Sequence, residues 1–428
     1  MKRRGHGIVG GLVALVLGLT ACGGDAGPDA AAPGGPGVTR KPCPNAVNPD
    51  NGCIYLGIIS DLSAGPFHEL GKPITHAQKA FWNRVNQQGG IGGYDIDVTT
   101  YTRDSKYDPA THKAMYEQMK DKVLALAQTL GSPTTAAILP DLRKNKIVAT
   151  PVSWTSAWEF EDVILESGAS YCAEAMNSVD YAAEAFSAES VMAVHFPGDY
   201  GDDAAAGAKI AAERRGLDFT HRTTGRGREA QAPVIDAIVK EAPDVVLLTT
   251  GPEEAAAIVG ETVRRGYPGH FIGSNPTWQR NMLDGPAGPA LRQRYLQSAP
   301  WKPFAVDSPG HTAMRLAVGD VTPSDAMTSG WVLSYPLKAV LQKAAENGDL
   351  SREGMFRALK QITRIDYEGI LPATAGNFSG DPNANAFRQT VLGRPDPGTY
   401  TGIKVVKEFS AGPTASSHVF TVPCYKTL

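Results

Sequence analysis

The sequence is short of several things at once, and each shortage excludes a class of protein. It has no run of about 20 apolar residues, the length a bilayer-spanning helix needs; the strongest candidate, Ile8 to Leu19, is too short. It has no basic excess, with 41 Lys and Arg against 44 Asp and Glu and a net charge of −3. That balance gives no support to a nucleic-acid partner. The nine histidines are scattered, and no G-x-S-x-G elbow, Walker loop or H-E-x-x-H motif is present, so the common hydrolase, nucleotide and zinc-peptidase constellations are missing. There are only five cysteines among 428 residues. What is there, 42% hydrophobic and 20% charged residues, is enough for a folded core and excludes wholesale disorder.

Lys2, Arg3 and Arg4 precede the short apolar stretch, which ends in Leu19-Thr20-Ala21-Cys22-Gly23-Gly24. This has the layout of an export signal rather than a membrane span, and Leu19-Thr20-Ala21-Cys22 resembles a bacterial lipobox with Cys22 as the lipidated residue. Residues 1–21 are therefore expected to be a lipoprotein signal peptide. Two acyl chains suffice for stable attachment at roughly 0.8 kcal/mol per buried methylene. The expected location is the cell envelope, on the outer face of the cytoplasmic membrane. Loss of the three basic residues of the leader would leave 38 basic against 44 acidic residues, so the lipid, not charge, would hold the protein to the membrane. Residues 22–50, rich in Gly, Pro, Ala and Asp, are expected to be a flexible tether.

With Cys22 assigned to lipid, Cys43, Cys53, Cys172 and Cys424 remain, an even number in an oxidising compartment. Four cysteines allow three pairings. Cys43 and Cys53 flank a short Pro/Asn/Gly loop, so a local bridge is the simplest choice and Cys172–Cys424 follows by elimination. A zinc site would need close cysteine pairs or nearby histidines, and no metal or other cofactor is expected.

The body alternates strand and helix signals. Ile54–Ser60, Leu124–Leu130, Ile147–Thr150, Val191–Phe196 and Val245–Thr249 are short apolar runs of the kind that parallel strands buried on both faces require. Ile96–Val98, Phe219–Thr223 and Phe271–Ile272 are weaker strands. Helical spacing lies between them, as in Ile74, Ala77, Phe81 and Val85, with Thr134 a candidate cap. The C-terminal third is expected to hold helices around 332–342 and 355–362 and late strands at Val405–Phe409 and His418–Val422. Two βαβ series predict an α/β protein with two Rossmann-like lobes and parallel sheets, whose ligand site lies beyond the carboxyl ends of the strands.

Those post-strand loops carry no catalytic constellation. Gly225-Arg226-Gly227-Arg228-Glu229-Ala230 matches a dinucleotide fingerprint in spacing, but it has two arginines and no apolar helix start, and reads as a solvated loop. Asp381, Asn383 and Asn385 start like a calcium loop, but Ala386 and Leu392 stand where Gly and Glu are needed. Asp104 and Asp108 read as a polar loop. What the loops do carry is hydroxyls and aromatics: Ser63, Ser132, Thr134, Thr135, Ser153, Thr155, Tyr200, Ser274 and Asn275, with Trp154 and Trp278 beside them. Hydroxyls and free N–H groups at helix starts suit a carboxylate or carbonyl, and indole rings supply apolar area or face a cation.

From Ile54 onward the order of motifs resembles the branched-chain amino-acid-binding family of ABC-transporter solute receptors. The stretches that carry the resemblance are Leu62-Ser63-Ala64-Gly65-Pro66-Phe67, Gly89-Gly90-Ile91-Gly92-Gly93, Asp104 to Pro109, Asp199-Tyr200-Gly201, Pro243-Asp244-Val245-Val246 and Phe378-Ser379-Gly380-Asp381. The resemblance implies a type I periplasmic-binding fold, two lobes joined by a three-strand hinge, with lobe one at 54–170 plus 300–400 and lobe two at 171–299 plus 401–428. It implies a small-molecule ligand held in a closing cleft, an ABC permease as partner, a monomer, no enzymatic activity and no nucleic acid. Thr134 and Ser153 to Thr155 then match the ligand-carboxylate loops of lobe one, Tyr200 a cleft-facing tyrosine, and Leu70 a position that often holds an aromatic. Asn275 falls where amino-acid receptors keep an acidic residue for the ligand ammonium, while Trp331 and Val332 replace a common Tyr-Asp pair. The expected solute is an amino acid, amide, organic acid or aromatic compound, with a bare ammonium disfavoured because an unpaired buried charge costs several kcal/mol. A ligand sensor of the same fold for a signalling partner, or an extracellular hydrolase, are the alternatives.

Overall fold

The structure, a computed structural model, describes residues 35–428. The leader, Cys22 and the start of the tether lie outside the described residues. Sheet one contains β1 (Val38–Thr39), β2 (Gly52–Ser60), β3 (Tyr94–Asp97), β4 (Thr102–Asp104), β5 (Ala125–Leu130) and β6 (Ala149–Val152). β2, apolar and buried along its length, is its centre: β5 and then β6 run parallel on one side, β3 and β4 parallel on the other, and β1 pairs antiparallel with its start. The crossovers are α1 (His68–Gln87), α2 (Pro109–Met119) and α3 (Ser132–Asn145).

The chain then enters lobe two with α4 (Tyr171–Ala185), β7 (Ser190–His195), α5 (Asp199–Arg215), β8 (Asp218–Thr223), α6 (Ala232–Glu241), β9 (Val245–Thr249), α7 (Pro252–Arg264), β10 (His270–Gly273), α8 (Gly288–Arg294) and β11 (Tyr295–Ala299). It returns to lobe one for α9 (Pro309–Val318), α10 (Asp325–Val332), α11 (Ser334–Glu346) and α12 (Arg352–Leu359). It ends in lobe two with β12 (Thr390–Pro395), β13 (Ile403–Ser410) and α13 (Pro413–Ser417). Sheet two has the order β13-β12-β11-β10-β9-β7-β8, parallel from β8 to β11, with β12 and β13 antiparallel at one edge. The α/β two-sheet architecture expected from the alternation is the one present.

Each lobe packs helices on its sheet for a specific steric reason. In lobe one, α1 presents Phe81 edge-on to Trp331 of α10 (5.0 Å) and Tyr335 of α11 (4.9 Å). All three are buried, so Phe81→Ala would cost about 3–5 kcal/mol. In lobe two, α4 and α5 lie close because α5 is built from alanines around Gly207, where a Cβ would meet the Cys172 carbonyl oxygen at 2.2 Å. The Cys172–Cys424 disulfide (Cα–Cα 6.3 Å) fastens the chain end to that helix pair, and Cys43–Cys53 (Cα–Cα 4.8 Å) closes the entrance to β2. Both are the pairs expected.

Several boundaries differ from expectation. From Gly35 the chain is no tether: the Gly35 amide donates to the Leu350 carbonyl (3.2 Å), β1 pairs with β2, and Asp95 accepts from the Val47 and Asn48 amides. β12 joins sheet two, so lobe one's second segment stops short of 390 rather than at 400. β11 and β12 escaped sequence reading because YLQSA and TVLGRP mix polar, Gly and Pro residues into their short runs. His418–Val422 is not a strand; Arg388 stacks its guanidinium 4.8 Å over the Phe420 ring and donates to the Ala415 carbonyl, holding that segment as an irregular strap. The Asp381 region is a turn, with the Asn383 amide on the Asp381 carboxylate.

Candidate ligand-binding cleft

The carboxyl ends of both parallel sheets face one another across a cleft with about 730 Å³ of atom-free space, counted to its mouth. Lobe one contributes Phe67 after β2, Tyr107 after β4, Gly131 and Ser132 after β5, and Ser153 and Trp154 after β6. Leu70 and Ile74 of α1 and Ala326 and Ser329 of α10 complete that wall. Lobe two contributes Tyr171 and Glu174 of α4, Tyr200 of α5 and Asn275 and Pro276 after β10, while Pro300 and Trp301 follow β11 at the hinge.

The loops are held so that these side chains point inward. Asp61, buried at the end of β2, accepts from the Gly65 amide (2.9 Å) and the Phe67 amide (2.8 Å), which turns Phe67 toward Tyr107 with ring centroids 4.8 Å apart. Asp104 accepts from the Leu62 amide (2.8 Å) and from the Ser63 hydroxyl, so the aspartates on either side of the loop organise it. Lys106 and Tyr107 both take positive φ (52° and 62°), a left-handed pair costing about 1–3 kcal/mol per residue that aims the Tyr107 ring into the cleft. Gly131 (φ 97°) caps α3, and a Cβ there would strike that ring at 2.4 Å. At the hinge Trp154 packs against Trp301 (4.7 Å), with its indole N–H on the Ser167 carbonyl (2.8 Å). Across the cleft Tyr171 meets Tyr200 edge-on (4.8 Å), and the Tyr200 hydroxyl pairs with the Ser274 hydroxyl (2.7 Å) and donates to the Thr250 carbonyl (3.2 Å).

Leu70, Ser132, Ser153, Trp154, Tyr200 and Asn275, six of the residues expected from sequence, are brought together here. The others are placed elsewhere. Thr134 and Thr135 are turned away: Thr134 bonds back to the Leu130 and Gly131 carbonyls and Thr135 to Thr129, the ordinary local use of a hydroxyl in a first helical turn. Thr155 caps the turn at Ser156–Phe160. Ser63 serves Asp104 on the outside. Trp331 is fully buried in lobe one, donating to the Tyr335 hydroxyl (3.0 Å). Trp278 stacks on Tyr295 (5.6 Å) and donates to the Thr401 carbonyl (2.9 Å); it edges a vestibule outside the cleft, entered past Leu70, Asn275 and Ala326. Phe67 and Tyr107 lay inside motifs that sequence reading singled out without choosing them. Tyr171, Glu174, Trp301 and Ser329 carried no signal, since only tertiary packing brings their elements to the cleft.

The wall is dominated by aromatic and aliphatic side chains, and no Lys, Arg or His lines it. Its carboxyl, Glu174, is buried and pushed up to about 8 by desolvation, against weaker opposing pulls from the neighbouring Ser298 hydroxyl and Asn275 amide. Asp199, at the start of α5, is raised by burial against a pull from Ser132 across the cleft. One cation bridges the lobes at the rim: Arg226 lies 5.0 Å over Phe67 of lobe one and 4.7 Å over Phe196 of lobe two. The loop read as merely solvated thus makes a contact between the lobes. Among the described residues no group of three His, Cys, Asp or Glu could hold a metal ion, and no helix is long and apolar enough to cross a membrane.

A family model described as periplasmic binding protein matches residues 54–396. Among solved structures, a fatty acid ABC transporter substrate-binding protein from Thermomonospora curvata is similar at 29% identity and TM-score 0.81, covering 91% of this chain and 97% of that one. A branched chain amino acid ABC transporter protein from Thermus thermophilus with bound valine is similar at 16% identity and TM-score 0.74, covering 85% and 98%. A leucine binding protein from Thermotoga maritima gives 15%, TM-score 0.67, 84% and 98%. Comparison with curated protein sequences gives no match. The chain belongs to the periplasmic binding protein family, whose members are extracytoplasmic solute receptors of ABC transporters rather than enzymes.

Proposed function

We propose that this member of the periplasmic binding protein family is a lipid-anchored receptor that delivers an amphipathic carboxylic acid, with an alkyl or aromatic body, to an ABC importer. The observation that carries the reading is the cleft wall: aromatic and aliphatic on lobe one and tyrosine-lined on lobe two, with Asn275 and one buried carboxyl, Glu174, whose proton desolvation favours. Burying an alkyl chain there contributes about 0.8 kcal/mol per methylene, whereas a free α-amino acid would bring a charge without a ready partner. The similarity to a fatty-acid receptor at 29% identity supports the same choice. The Cys22 motif supports attachment by lipid, and Cys22→Ala is expected to yield a protein without lipid label.

A thermal-shift series with straight-chain acids of increasing length, aromatic acids, leucine and valine tests the solute class. Stabilisation is expected to grow with chain length until the cleft is filled, reaching about 2.7 kcal/mol at 100 times Kd. A shift with leucine or valine and none with any apolar acid would contradict the reading.

A further inference from the structure

Three residues that line the cleft each carry a buried polar atom with no hydrogen-bond partner: Glu174 Oε1, Trp301 Nε1 and Ser329 Oγ. Their side chains are all buried, at 3%, 1% and 3% exposure. Buried polar groups are normally paired, and an orphan costs about 1–3 kcal/mol. An indole N–H can only donate, so the missing partner at Trp301 is an acceptor. With no cationic side chain in the wall, that acceptor would have to be held by neutral donors.

Glu174 is placed to be one of them. It sits in the first turn of α4, with Tyr171 on its own helix, Tyr200 of α5 and Tyr295 of β11 around it. Glu254 of α7 acts on Tyr200 from farther out. All of these groups are neutral or acidic, so none supplies a countercharge. The Ser298 hydroxyl and the Asn275 amide lie beside the carboxyl, but neither reaches Oε1, and the Ser298 hydroxyl is itself unpaired.

Resting on the carboxylic-acid reading above, we propose that Glu174 binds the ligand's carboxylate as a protonated acid. Its O–H donates to a ligand oxygen, so that one proton is shared between two carboxyls. Two carboxylates in one dry site cannot both ionise, and the hydrogen bond to a charged oxygen is about twice as strong as a neutral one. Burial, which pushes Glu174 up to about 8, keeps that proton in place at neutral pH. The Trp301 N–H and the Ser329 hydroxyl would complete the acceptor's shell.

The test is titration calorimetry with decanoate and decylamine at pH 6 to 9.5, on the wild type, Glu174→Gln and Glu174→Ala, each checked for a single cooperative melting transition at every pH used. Decanoate stays ionised across that range. Expected is a wild-type affinity that is flat to about pH 7 and falls toward tenfold per pH unit above about 8. Glu174→Gln, whose amide donates at every pH, should keep the neutral-pH affinity within about threefold and lose the slope, and Glu174→Ala should lose about tenfold or more. Decanoate binding without a pH slope in the wild type, or a Glu174→Gln loss equal to that of Glu174→Ala, overturns the proton-sharing role while leaving the solute class intact. Tighter binding of decylamine than of decanoate, strengthening as pH rises, overturns both by making Glu174 the partner of a cation.

Discussion

The two lobes share a βα layout but meet the cleft with different chemistry. Lobe one offers shape: Phe67, Tyr107, Leu70 and Trp154 form an apolar wall, and the hydroxyls of Thr134 and Thr135 beneath it are spent on their own backbone. Lobe two offers polarity: Glu174, the Tyr200–Ser274 pair and Asn275. The interiors are alike in this respect: each buries a histidine lowered by desolvation, His112 and His311 in lobe one and His195 in lobe two, and each buries carboxyls raised by desolvation, Glu159 to about 8 and Asp325 to about 6 in lobe one, Glu174 to about 8 and Asp203 to about 7 in lobe two. A receptor whose cleft walls differ as these do can hold an apolar body by area on one side and read its head group on the other.

The largest contrast is in stability. Cys172–Cys424 closes 252 residues and Cys43–Cys53 closes 10. Serine replacement of the first pair is expected to cost about 4–5 kcal/mol and of the second about 2–3, measured by urea unfolding. Equal losses would mean that unfolded-chain entropy is not what the bridges control. Next, Tyr107→Ala in lobe one should weaken an alkyl acid by about 1.5–3 kcal/mol with an unchanged pH profile, read by calorimetry. A changed profile would move the pH-sensing group out of lobe two.

The buried acids, present in both lobes, set a pH dependence that the apolar wall does not have. A carboxyl whose folded value is raised binds its proton in the folded state and releases it on unfolding, so its contribution is lost as pH rises toward the folded value. The histidines work the other way, losing stability as pH falls from about 6.5 toward 4, and are neutral in both states above about 7. Between pH 7 and 8 the ligand-free protein should therefore lose a few degrees of Tm, and Glu174→Gln, which removes a carboxyl raised to about 8, should flatten that decline. A rising Tm over that window would contradict the assignment of buried neutral acids to the folded protein. The smallest effect is expected at the rim, where Arg226 is exposed. Arg226→Ala should remove about 0.5–1 kcal/mol of closure, seen in stopped flow as faster ligand release.

The alternation of apolar runs and helical spacing made both parallel sheets legible, because strands buried on both faces need continuous apolar sequence. The cleft was half legible for a physical reason. Ser132 and Thr134 stand two residues apart in one helical turn, and whether a hydroxyl faces ligand or its own backbone depends on how the turn is rotated, which Gly131 and the Tyr107 ring decide. Six tryptophans look alike in sequence, yet Trp154 and Trp301 reach the cleft while Trp278 and Trp331 are consumed by the lobe interiors. Glu174 looked like any acid in a first helical turn, a common place for one; only burial and the missing partner distinguish it.

The central claim, a polar end held at Glu174 and an apolar body held by lobe one, is tested most directly by a crystal structure with 10-bromodecanoate. The carboxylate is expected within hydrogen-bond distance of Glu174 and Trp301, and the anomalous bromine peak away from them, along the Phe67–Tyr107 wall or toward the Leu70 mouth. A bromine peak beside Glu174 with the carboxylate at the mouth would contradict it.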